Sequence, residues 1–480
     1  IKKISLFILL ITYTKFSFST KSQKPKKEIK EIKVTNSAAK AINPVLLTYD
    51  NTFSFFKLWY LIKFETKAIL KNPTFIIIVI IGLLNLIASL TSFTGRYGTD
   101  QYPVTYDIID TIKGSFYLFL IAIITFYTGV LVWKERDVKI NEIQDATPIQ
   151  ASIFFVSKII ALIASVAFIL MTTMIIGIIA QTAFGYYRYQ LDVYINSLLI
   201  MDLLSFSFLI IIALLFHYII NNRYIAYFAF VSFIILNQFI WGVLKISTNM
   251  VKFGSTPTVT YSDMNGFGPF IPSTLWFNIY WVFFSIILVF IVLSFYVRGK
   301  ETDFRQRIRY SNFVLSKNKM AIILWAVVFT LCCGFVFYNT KVLNTYDSEK
   351  ELENKQVDYE KTYKKYENLI QPRFYKFNYT IDILPYERSM TASIDAWAIN
   401  KSNQPIQELH FSMPQIPDSV DIIISGSNLK LNDTRLNYRI YTLDKPLQPY
   451  DSILIEFEVS RLTKGFENEV SFTQLTQNGT

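Results

Sequence analysis

Side chains of the kinds that bind metals or transfer protons are scarce in this sequence. Histidine occurs only as His217 and His410, and neither has a second histidine or a cysteine at ligand spacing. A zinc peptidase needs two histidines one helical turn apart and a glutamate base, and an ATPase needs a G-x-x-x-x-G-K-[ST] loop. The sequence has neither pattern, so we expect no catalytic, metal-binding or cofactor-binding residue here. We expect His217 to be packed within an apolar run, with a proton relay as the alternative, and His410 to be a surface residue of a strand.

The densest charge beside apolar runs is in VWKERDVKINEIQDATPI, residues 132–149. Charges are costly in lipid, so the apolar run before this stretch must end where the stretch begins. Glu135 and Lys139 are spaced for an i,i+4 pair on a short helix. Pro148 disfavours helix at the residue before it, so we expect this helix to end at Thr147.

Ile140 and Ile143 in the same stretch share one face of the expected helix. Apolar side chains among charges could bind a partner protein. A solvated helix that only connects two apolar runs is the alternative. The next apolar run begins after a break, with Lys158 near its edge.

The composition indicates a membrane protein. Apolar residues make up 52% of the chain and charged residues 17%, against about 25% charge in a typical soluble protein. A bilayer-spanning helix needs roughly 20 mostly apolar residues. Seven runs meet this requirement: about 74–93, 115–133, 159–181, 198–220, 224–245, 275–297 and 320–338. An eighth, shorter run at 4–18 is interpreted as a partial span, with a signal peptide as the alternative.

The charge of the connections predicts the orientation. The net charge is +11, and the lysines and arginines concentrate in the connections 19–73, 134–158, 221–223 and 298–319. Because basic connections stay in the cytoplasm, we predict a multi-pass protein of the cytoplasmic (inner) membrane, with all residues after about 338 extracytoplasmic. Residues 51–70 mix aromatic residues with lysine, which indicates an interfacial helix on the inner leaflet. A basic membrane part followed by a mildly acidic tail does not indicate nucleic-acid binding.

The sequence after residue 338 has a different pattern. Residues 339–373 are charged and include a helix at 347–367, whereas residues 374–480 alternate between apolar and polar residues. Six segments read as strands: YKFNYTIDIL, SMTASIDAWAI, ELHFSM, VDIIISG, LNYRIYTL and DSILIEFEVSR. The predicted fold is therefore an α-helical polytopic membrane domain of about seven to eight spans, followed by an extracytoplasmic β-sandwich-like domain.

Several polar residues fall within or near the predicted spans, among them Asn85, Asp202, Asn237 and Gln238, and we single out the first three. Polar groups in lipid usually join helices or line a pathway. We expect packing or interface roles for them, with a pathway as the alternative.

A second distinctive segment lies on the predicted outer side, FGSTPTVTYSDMNGFGPFIPSTLWFNIYW at 253–281. Asp263 and Asn265 could form Asx-type turns, and Gly266 and Gly268 allow positive φ. We expect a compact turn, with a gate or a substrate contact as the alternative. The candidate residues are Tyr261, Ser262, Asp263, Asn265 and Gly266.

Glu135-Arg136, Glu142-Ile143, Ala146-Thr147-Pro148 and Lys158 resemble, in this order, the first cytoplasmic loop of type-2 ABC exporter permeases. The residues Asp137-Val138-Lys139 depart from the Gly-Thr step usual in that family. The resemblance implies that this loop contains a coupling helix that rests on a separate ATPase subunit. It implies coupling roles for Glu135, Arg136, Glu142, Ile143, Thr147 and Pro148.

The outer segment 253–281 and the connection 339–373 resemble one branch of these permeases, which is fused to a zinc aminopeptidase-like region. The segment from residue 374 resembles the N-terminal β-domain of that peptidase family. The resemblance implies a second permease half, ATP on the partner subunit, and zinc only in a region beyond this chain. We therefore interpret the chain as a fragment, divided into 1–73, 74–338, 339–373 and 374–480.

Three functions follow as hypotheses. The first is the permease subunit of an ATP-driven exporter, which works in the lipid bilayer with an ABC ATPase subunit and a second permease half or homologous partner. The second is a membrane-anchored zinc aminopeptidase whose catalytic domain lies beyond the chain end. The third is a non-catalytic sensor or scaffold whose outer domain binds peptides.

Overall fold

The computed structural model describes residues 51–91, 102–147, 149–296, 304–344, 347–413, 419–468 and 475. The apolar run at 4–18, the basic segment after it and Pro148 lie outside these ranges. The described helices are, in chain order, α1 (Asn51–Leu70), α2 (Pro73–Thr91), α3 (Thr105–Asp137), α4 (Asn141–Asp145), α5 (Ala151–Ala183), α6 (Leu191–Ile219), α7 (Arg223–Val243), α8 (Ile271–Ser294), α9 (Phe304–Lys317), α10 (Lys319–Leu343) and α11 (Glu349–Tyr363).

Seven of these helices, α2, α3, α5, α6, α7, α8 and α10, are long and apolar enough to cross a bilayer. They coincide with the seven apolar runs, which confirms the prediction of a multi-pass α-helical membrane protein. Helices α3 and α5 have 33 residues each. At 1.5 Å per residue this is about 50 Å, more than the roughly 30 Å of a hydrocarbon core. These two helices therefore extend well beyond the lipid, and the last turn of α3 is charged.

Helix α3 forms the centre of the helical bundle. Its side chains at Ile108, Ile112, Phe116, Leu120 and Ile124 are at most 1% exposed. Their spacing of four residues places them on one face of the helix, which packs against α5 and α6. Helices α7 and α10 bury few side chains and lie at the periphery of the bundle. Exposed apolar side chains of such peripheral helices contact lipid in a bilayer.

Helix α6 contains a π-helical segment, Ile195–Asp202, before it continues as a regular α-helix. Single π-helical turns are rare and often occur at functional sites. Here the segment ends at Asp202, one of the polar residues singled out in the sequence.

Helix α11 begins with a capping box. The Oγ atom of Ser348 accepts from the Glu351 backbone N–H at 3.3 Å, and the Glu351 carboxylate accepts from the Ser348 backbone N–H at 2.7 Å. These bonds satisfy two of the N–H groups that a helix start leaves open. The helix predicted for 347–367 is confirmed, and a 3-10 turn at Lys364–Tyr366 ends it.

Seven strands follow: β1 (Arg373–Leu384), β2 (Ser389–Ile399), β3 (Ile406–Ser412), β4 (Ser419–Ile423), β5 (Ser427–Asp433), β6 (Tyr438–Leu447) and β7 (Ser452–Leu462). They form two antiparallel sheets with the orders β1-β2-β7-β4 and β3-β6-β5. Ala398 and Ile455 of the first sheet share one apolar core with Leu409 and Leu443 of the second. The antiparallel β architecture predicted for this region is therefore present.

The prediction of six strands was wrong by one, because it omitted β5. The sequence of β5, SNLKLND, contains no fully buried residue. It is an edge strand held by backbone pairing with β6. Hydrophobic alternation detects strands that bury one face, so it gives little signal for a strand of this kind.

The segment after β7 attaches the β sheets to the helical bundle. Phe466 is 8% exposed and packs against Phe277 of α8 and Phe335 of α10. The Asn468 side chain accepts from the Asn249 backbone N–H at 3.0 Å. These contacts lie at the start of α8 and near the end of α10, and so at the end of the bundle opposite to α4.

Candidate functional site

The connection between α3 and α5 is fixed by a buried ion pair. Lys158 of α5 is 3% exposed, and its ammonium group donates to the Glu135 carboxylate at 2.6 Å. It also donates to the Leu131 carbonyl at 2.5 Å. A buried ammonium group is stable only with such partners. The pair therefore ties the end of one central helix to the start of the next.

The predicted i,i+4 pair between Glu135 and Lys139 is not formed. Helix α3 ends at Asp137, and Lys139 has a φ of 56°, in the left-handed region. An i,i+4 contact needs an unbroken helix. The turn at Lys139 removes that condition, and Glu135 pairs with Lys158 instead.

Two neighbouring residues of α3 extend this ionic arrangement to other helices. Lys134 donates to Glu65 of α1, a carboxylate that is 6% exposed. Asp137 accepts from Arg223 at the start of α7 at 2.8 Å. We call the set Glu65, Lys134, Glu135 and Lys158 the ionic network. The sequence did not indicate that Glu65 of α1 and Lys158 of α5 lie close to Glu135.

Arg136 lies on the other side of the same turn. Its guanidinium group is 5.0 Å from the centre of the Trp133 ring, and it donates to Asn221 at 3.4 Å. Trp133 in turn donates to Nδ1 of His217 at 3.2 Å, and His217 is 1% exposed. The expectation of a packed His217 is confirmed.

The short helix α4 lies between the two ends of this connection. The single helix expected to run up to Thr147 is split, because α4 contains only Asn141–Asp145. Thr147 follows it and donates from its hydroxyl to the Gln144 carbonyl at 2.6 Å. Pro148 lies outside the described residues.

Helix α4 and the turn before it carry an exposed apolar surface. Val138 is 70% exposed, Ile140 48% and Ile143 71%, and the neighbouring Glu142 is also exposed. We call Val138, Ile140 and Ile143 the α4 surface. A small cleft beside α4 is open to solvent and is lined in part by Glu135, Arg136, Asn141, Gln144, Asp145 and Lys158.

Residues 262–266 of the segment 253–281 form a tight hairpin at the end of the bundle opposite to α4. Ser262 and Gly266 exchange two backbone hydrogen bonds, of 3.1 Å and 2.6 Å. Gly266 has a φ of 59°, as expected, whereas Gly268 begins a 3-10 helix and has no positive φ. The Asn265 carbonyl accepts from the Gly268 N–H at 3.0 Å and closes the next turn.

Two side chains of this hairpin bind Gln190, the residue that precedes α6. The Gln190 amide donates to Asp263 at 2.8 Å and to the Tyr261 hydroxyl at 3.2 Å. Burial, together with the charge of Asp263, raises the pKa of Tyr261. The carboxylate predicted for an Asx-type turn therefore joins the hairpin to a transmembrane helix.

Two of the three intramembrane polar residues join structural elements. The Asn85 amide donates to the Ser115 carbonyl at 2.9 Å, which links α2 to α3. Asn237 of α7 donates to the Phe253 carbonyl and accepts from the Phe253 N–H, both at 3.1 Å. These are the packing roles expected from the sequence.

Asp202 has a different environment. Its carboxylate lies 3.2 Å from the ammonium group of Lys113 and accepts from the Tyr117 hydroxyl, both on α3. The side chain of Lys113 is 34% exposed. The side chain of Asp202 is 16% exposed, so this ion pair is partly buried, with a more exposed lysine than the pair at Lys158.

The expectation that His410 lies at the surface was wrong. Its side chain is 5% exposed, with Nδ1 3.0 Å from the Tyr438 hydroxyl and its ring 4.6 Å from that of Tyr366. Tyr366 belongs to the turn after α11, so a remote segment covers the strand residue. The alternation of apolar and polar residues along β3 gives no sign that Tyr366 packs over His410.

Within the described ranges, no group of three or more His, Cys, Asp or Glu side chains could hold a metal ion. Comparisons of the chain with protein-family models, curated proteins and solved structures found no match.

Proposed function

We propose that this protein is the permease subunit of an ATP-driven exporter of the type-2 ABC class. The observation that carries the proposal is the α4 surface, which exposes three apolar side chains within a charged connection between two central transmembrane helices. In the proposal, a separate ATPase subunit binds this surface in the cytoplasm. A second permease half or a homologous partner completes the transport path.

The ionic network supports this role because it makes the connection rigid. Removal of one partner of a buried ion pair typically costs about 3–5 kcal/mol, since the other charge is left buried without compensation. Lys158 and Glu135 are such a pair, and they lie directly beside α4. A displacement of α4 by a bound subunit would therefore move α3 and α5 together rather than bend the loop.

The distribution of charge supports the cytoplasmic location of α4. The same end of the bundle carries Arg223 and the basic helix α9, whose Arg307 donates to the Tyr218 carbonyl. Basic connections stay in the cytoplasm. In the proposal the β sheets, which attach to the opposite end, are extracytoplasmic.

The partly exposed Asp202–Lys113 pair is the candidate contact for a substrate. Ionisable side chains within spans are costly and usually mark a pathway or an ion relay. The π-helical segment that ends at Asp202 supports the same assignment.

Site-specific photocrosslinking in native membranes tests the ATPase contact. A photoreactive amino acid at Ile143 should form an adduct with a protein that contains a G-x-x-x-x-G-K-[ST] loop, identified by mass spectrometry. The matched control places the same amino acid at Met264, which is 86% exposed at the other end of the bundle, and should give no such adduct. The proposal fails if Ile143 captures no nucleotide-binding protein while it crosslinks efficiently to lipid.

The orientation is tested separately in intact cells. Val138→Cys should react with a membrane-impermeant thiol reagent only after the cells are opened, whereas Met264→Cys should react from outside. Both positions are strongly exposed, at 70% and 86%, so a difference in reaction reports the side of the membrane. Labelling of Val138→Cys in intact cells would contradict the proposed topology and with it the ATPase contact.

A further inference from the structure

Strand β1 is the longest strand of the first sheet and lies at its edge. It has 12 residues, and all of them are exposed. One side pairs with β2 along its whole length, and within the described residues no strand pairs with the other side. An exposed edge of this length presents a row of unpaired N–H and C=O groups that another strand can bind.

The face of β1 that points towards the core is apolar and largely uncovered. Phe377 and Ile381 lie opposite Ala396 and Ala392 of β2, which are 0% and 8% exposed. Directly opposite residues share a face of the sheet. Phe377, Tyr379, Ile381 and Ile383 nevertheless remain 43%, 58%, 49% and 40% exposed. Strand β1 therefore extends beyond the second sheet, and its inner face is available to a neighbour.

The sequence of β1 is complementary to itself in one antiparallel register. If two copies pair with Tyr379 opposite Tyr379, Lys376 of each copy faces Asp382 of the other, and Phe377 faces Ile381. If the two copies are instead centred on the residue before or after Tyr379, Lys376 no longer faces Asp382. If the centre lies between two residues, apolar side chains of one copy face polar side chains of the other. The ammonium group of Lys376 lies 4.5 Å from the centre of the Trp397 ring, on the polar face that also carries Asp382.

We propose that β1 pairs with β1 of a second copy of this chain, antiparallel and centred on Tyr379, so that the two first sheets become one continuous sheet. The pairing satisfies the free backbone groups of both edges. It brings the uncovered apolar rows of the two copies into contact and adds two Lys376–Asp382 ion pairs. It does not depend on ATPase binding at the α4 surface, so each proposal can fail alone.

Oxidative crosslinking of the full chain in native membranes tests the register. Directly opposite residues of antiparallel strands have Cα atoms about 4.5–5.5 Å apart, which a disulfide can span. Tyr379→Cys should therefore give a disulfide-linked dimer. Lys376→Cys alone should not, because the two copies of residue 376 would lie about 20 Å apart along the strand. Co-expression of Lys376→Cys with Asp382→Cys should restore the dimer, and the wild-type chain, with Cys332 and Cys333 in a span, gives the background.

Charge reversal provides a second test that does not use cysteine. Lys376→Glu or Asp382→Lys places like charges opposite each other twice and should lower the dimer fraction several-fold, measured by mild amine crosslinking in membranes. The double variant K376E/D382K restores both contacts and should recover the dimer, which also shows that the single variants were not simply misfolded.

Three results would overturn the proposal. One is equal crosslinking of Tyr379→Cys and Lys376→Cys, which indicates random collision. Another is a Tyr379→Cys chain that forms no dimer, although its thiol is protected from soluble reagents, because then a different segment or a peptide covers β1. The third is a charge-reversed double variant with as little dimer as the single variants.

Discussion

Lys158 and Glu135 are 23 residues apart in sequence, yet their ammonium and carboxylate groups lie 2.6 Å apart and close the connection between α3 and α5. The pair lies directly beside α4 and shares its cleft. Whatever binds the α4 surface therefore acts on two central helices through one buried contact. The stability of this contact can be measured independently of any transport assay.

Lys158→Met should strongly destabilise the protein. The substitution preserves the apolar stem of the side chain but removes the main partner of Glu135, whose side chain is 13% exposed, at a cost of up to about 3–5 kcal/mol. The matched control is Lys139→Met in the same connection, because Lys139 is exposed and forms no pair with Glu135. Thermal unfolding of the detergent-solubilised chain should show a large decrease for the first variant and almost none for the second.

The double variant K158M/E135L separates lost pairing from lost packing. Replacement of both partners by apolar side chains removes the uncompensated charge, so much of the lost stability should return. Similar thermal shifts for Lys158→Met and Lys139→Met would contradict the assignment of Lys158 as the residue that fixes the connection.

Asn237→Val should loosen the segment 253–281 without unfolding the bundle. Asn237 makes two hydrogen bonds to the backbone of Phe253 and accepts from the Trp241 indole at 3.2 Å. Loss of these bonds leaves partly buried groups unsatisfied, which costs at most about 1–3 kcal/mol each. Trypsin should then cut after Lys252 faster than in the wild type. Gln238→Val, on the exposed side of the same helix, is the control and should leave the cleavage rate unchanged.

The sequence was sufficient to predict the elements that contain long apolar runs. Seven spans coincide with seven apolar runs. Strand β5 was omitted because it has no buried residue and depends on its pairing with β6. Alternation of apolar and polar residues identifies strands that bury one face. It does not identify a strand that is held mainly by backbone hydrogen bonds to its neighbour.

The contacts within the candidate site were less predictable, since they join residues far apart in sequence. Periodicity proposed Lys139 as the partner of Glu135, and the left-handed turn at Lys139 could not be read from the residues around it. His410 was expected at the surface, although Tyr366 from the preceding connection covers it. Partners that meet only through the fold cannot be derived from local spacing.

The burial of His410 should make the β sheets less stable in mild acid. Burial lowers the pKa of His410, and the Glu408 carboxylate 3.5 Å away only partly opposes this shift. Lys430, which pairs with Glu408 at 2.5 Å, also disfavours the protonated imidazole. The unfolded chain takes up this proton below about pH 6.5, whereas the folded chain does so only at lower pH. The free energy of unfolding should therefore fall as the pH drops from about 6.5 toward the folded-state pKa.

Hydrogen exchange of the amides of β3 and β6 measures this effect. The ratio of exchange rates between His410→Gln and the wild type, taken at about pH 7.5 and about pH 5.5, cancels the intrinsic pH dependence of exchange. The glutamine variant should show the smaller acid-induced increase, because it lacks the titrating group. His217→Gln, in a transmembrane helix, is the control and should behave like the wild type. An unchanged ratio at the two pH values would show that His410 does not set the acid response.

Phe466→Ala should release the segment after β7 from the helical bundle. Phe466 is 8% exposed between Phe277 and Phe335, and truncation of a buried phenylalanine costs about 3–5 kcal/mol. Lys464 is exposed, but trypsin cuts a locally opened segment, which release of Phe466 would supply. Because about 1.4 kcal/mol corresponds to a factor of ten, cleavage there should become faster by about a hundredfold or more. The control is Tyr386→Ala, which truncates a side chain that is 89% exposed. If both variants are cut after Lys464 at the wild-type rate, the attachment depends on Asn468 and its bonds to residues 247–249 rather than on Phe466.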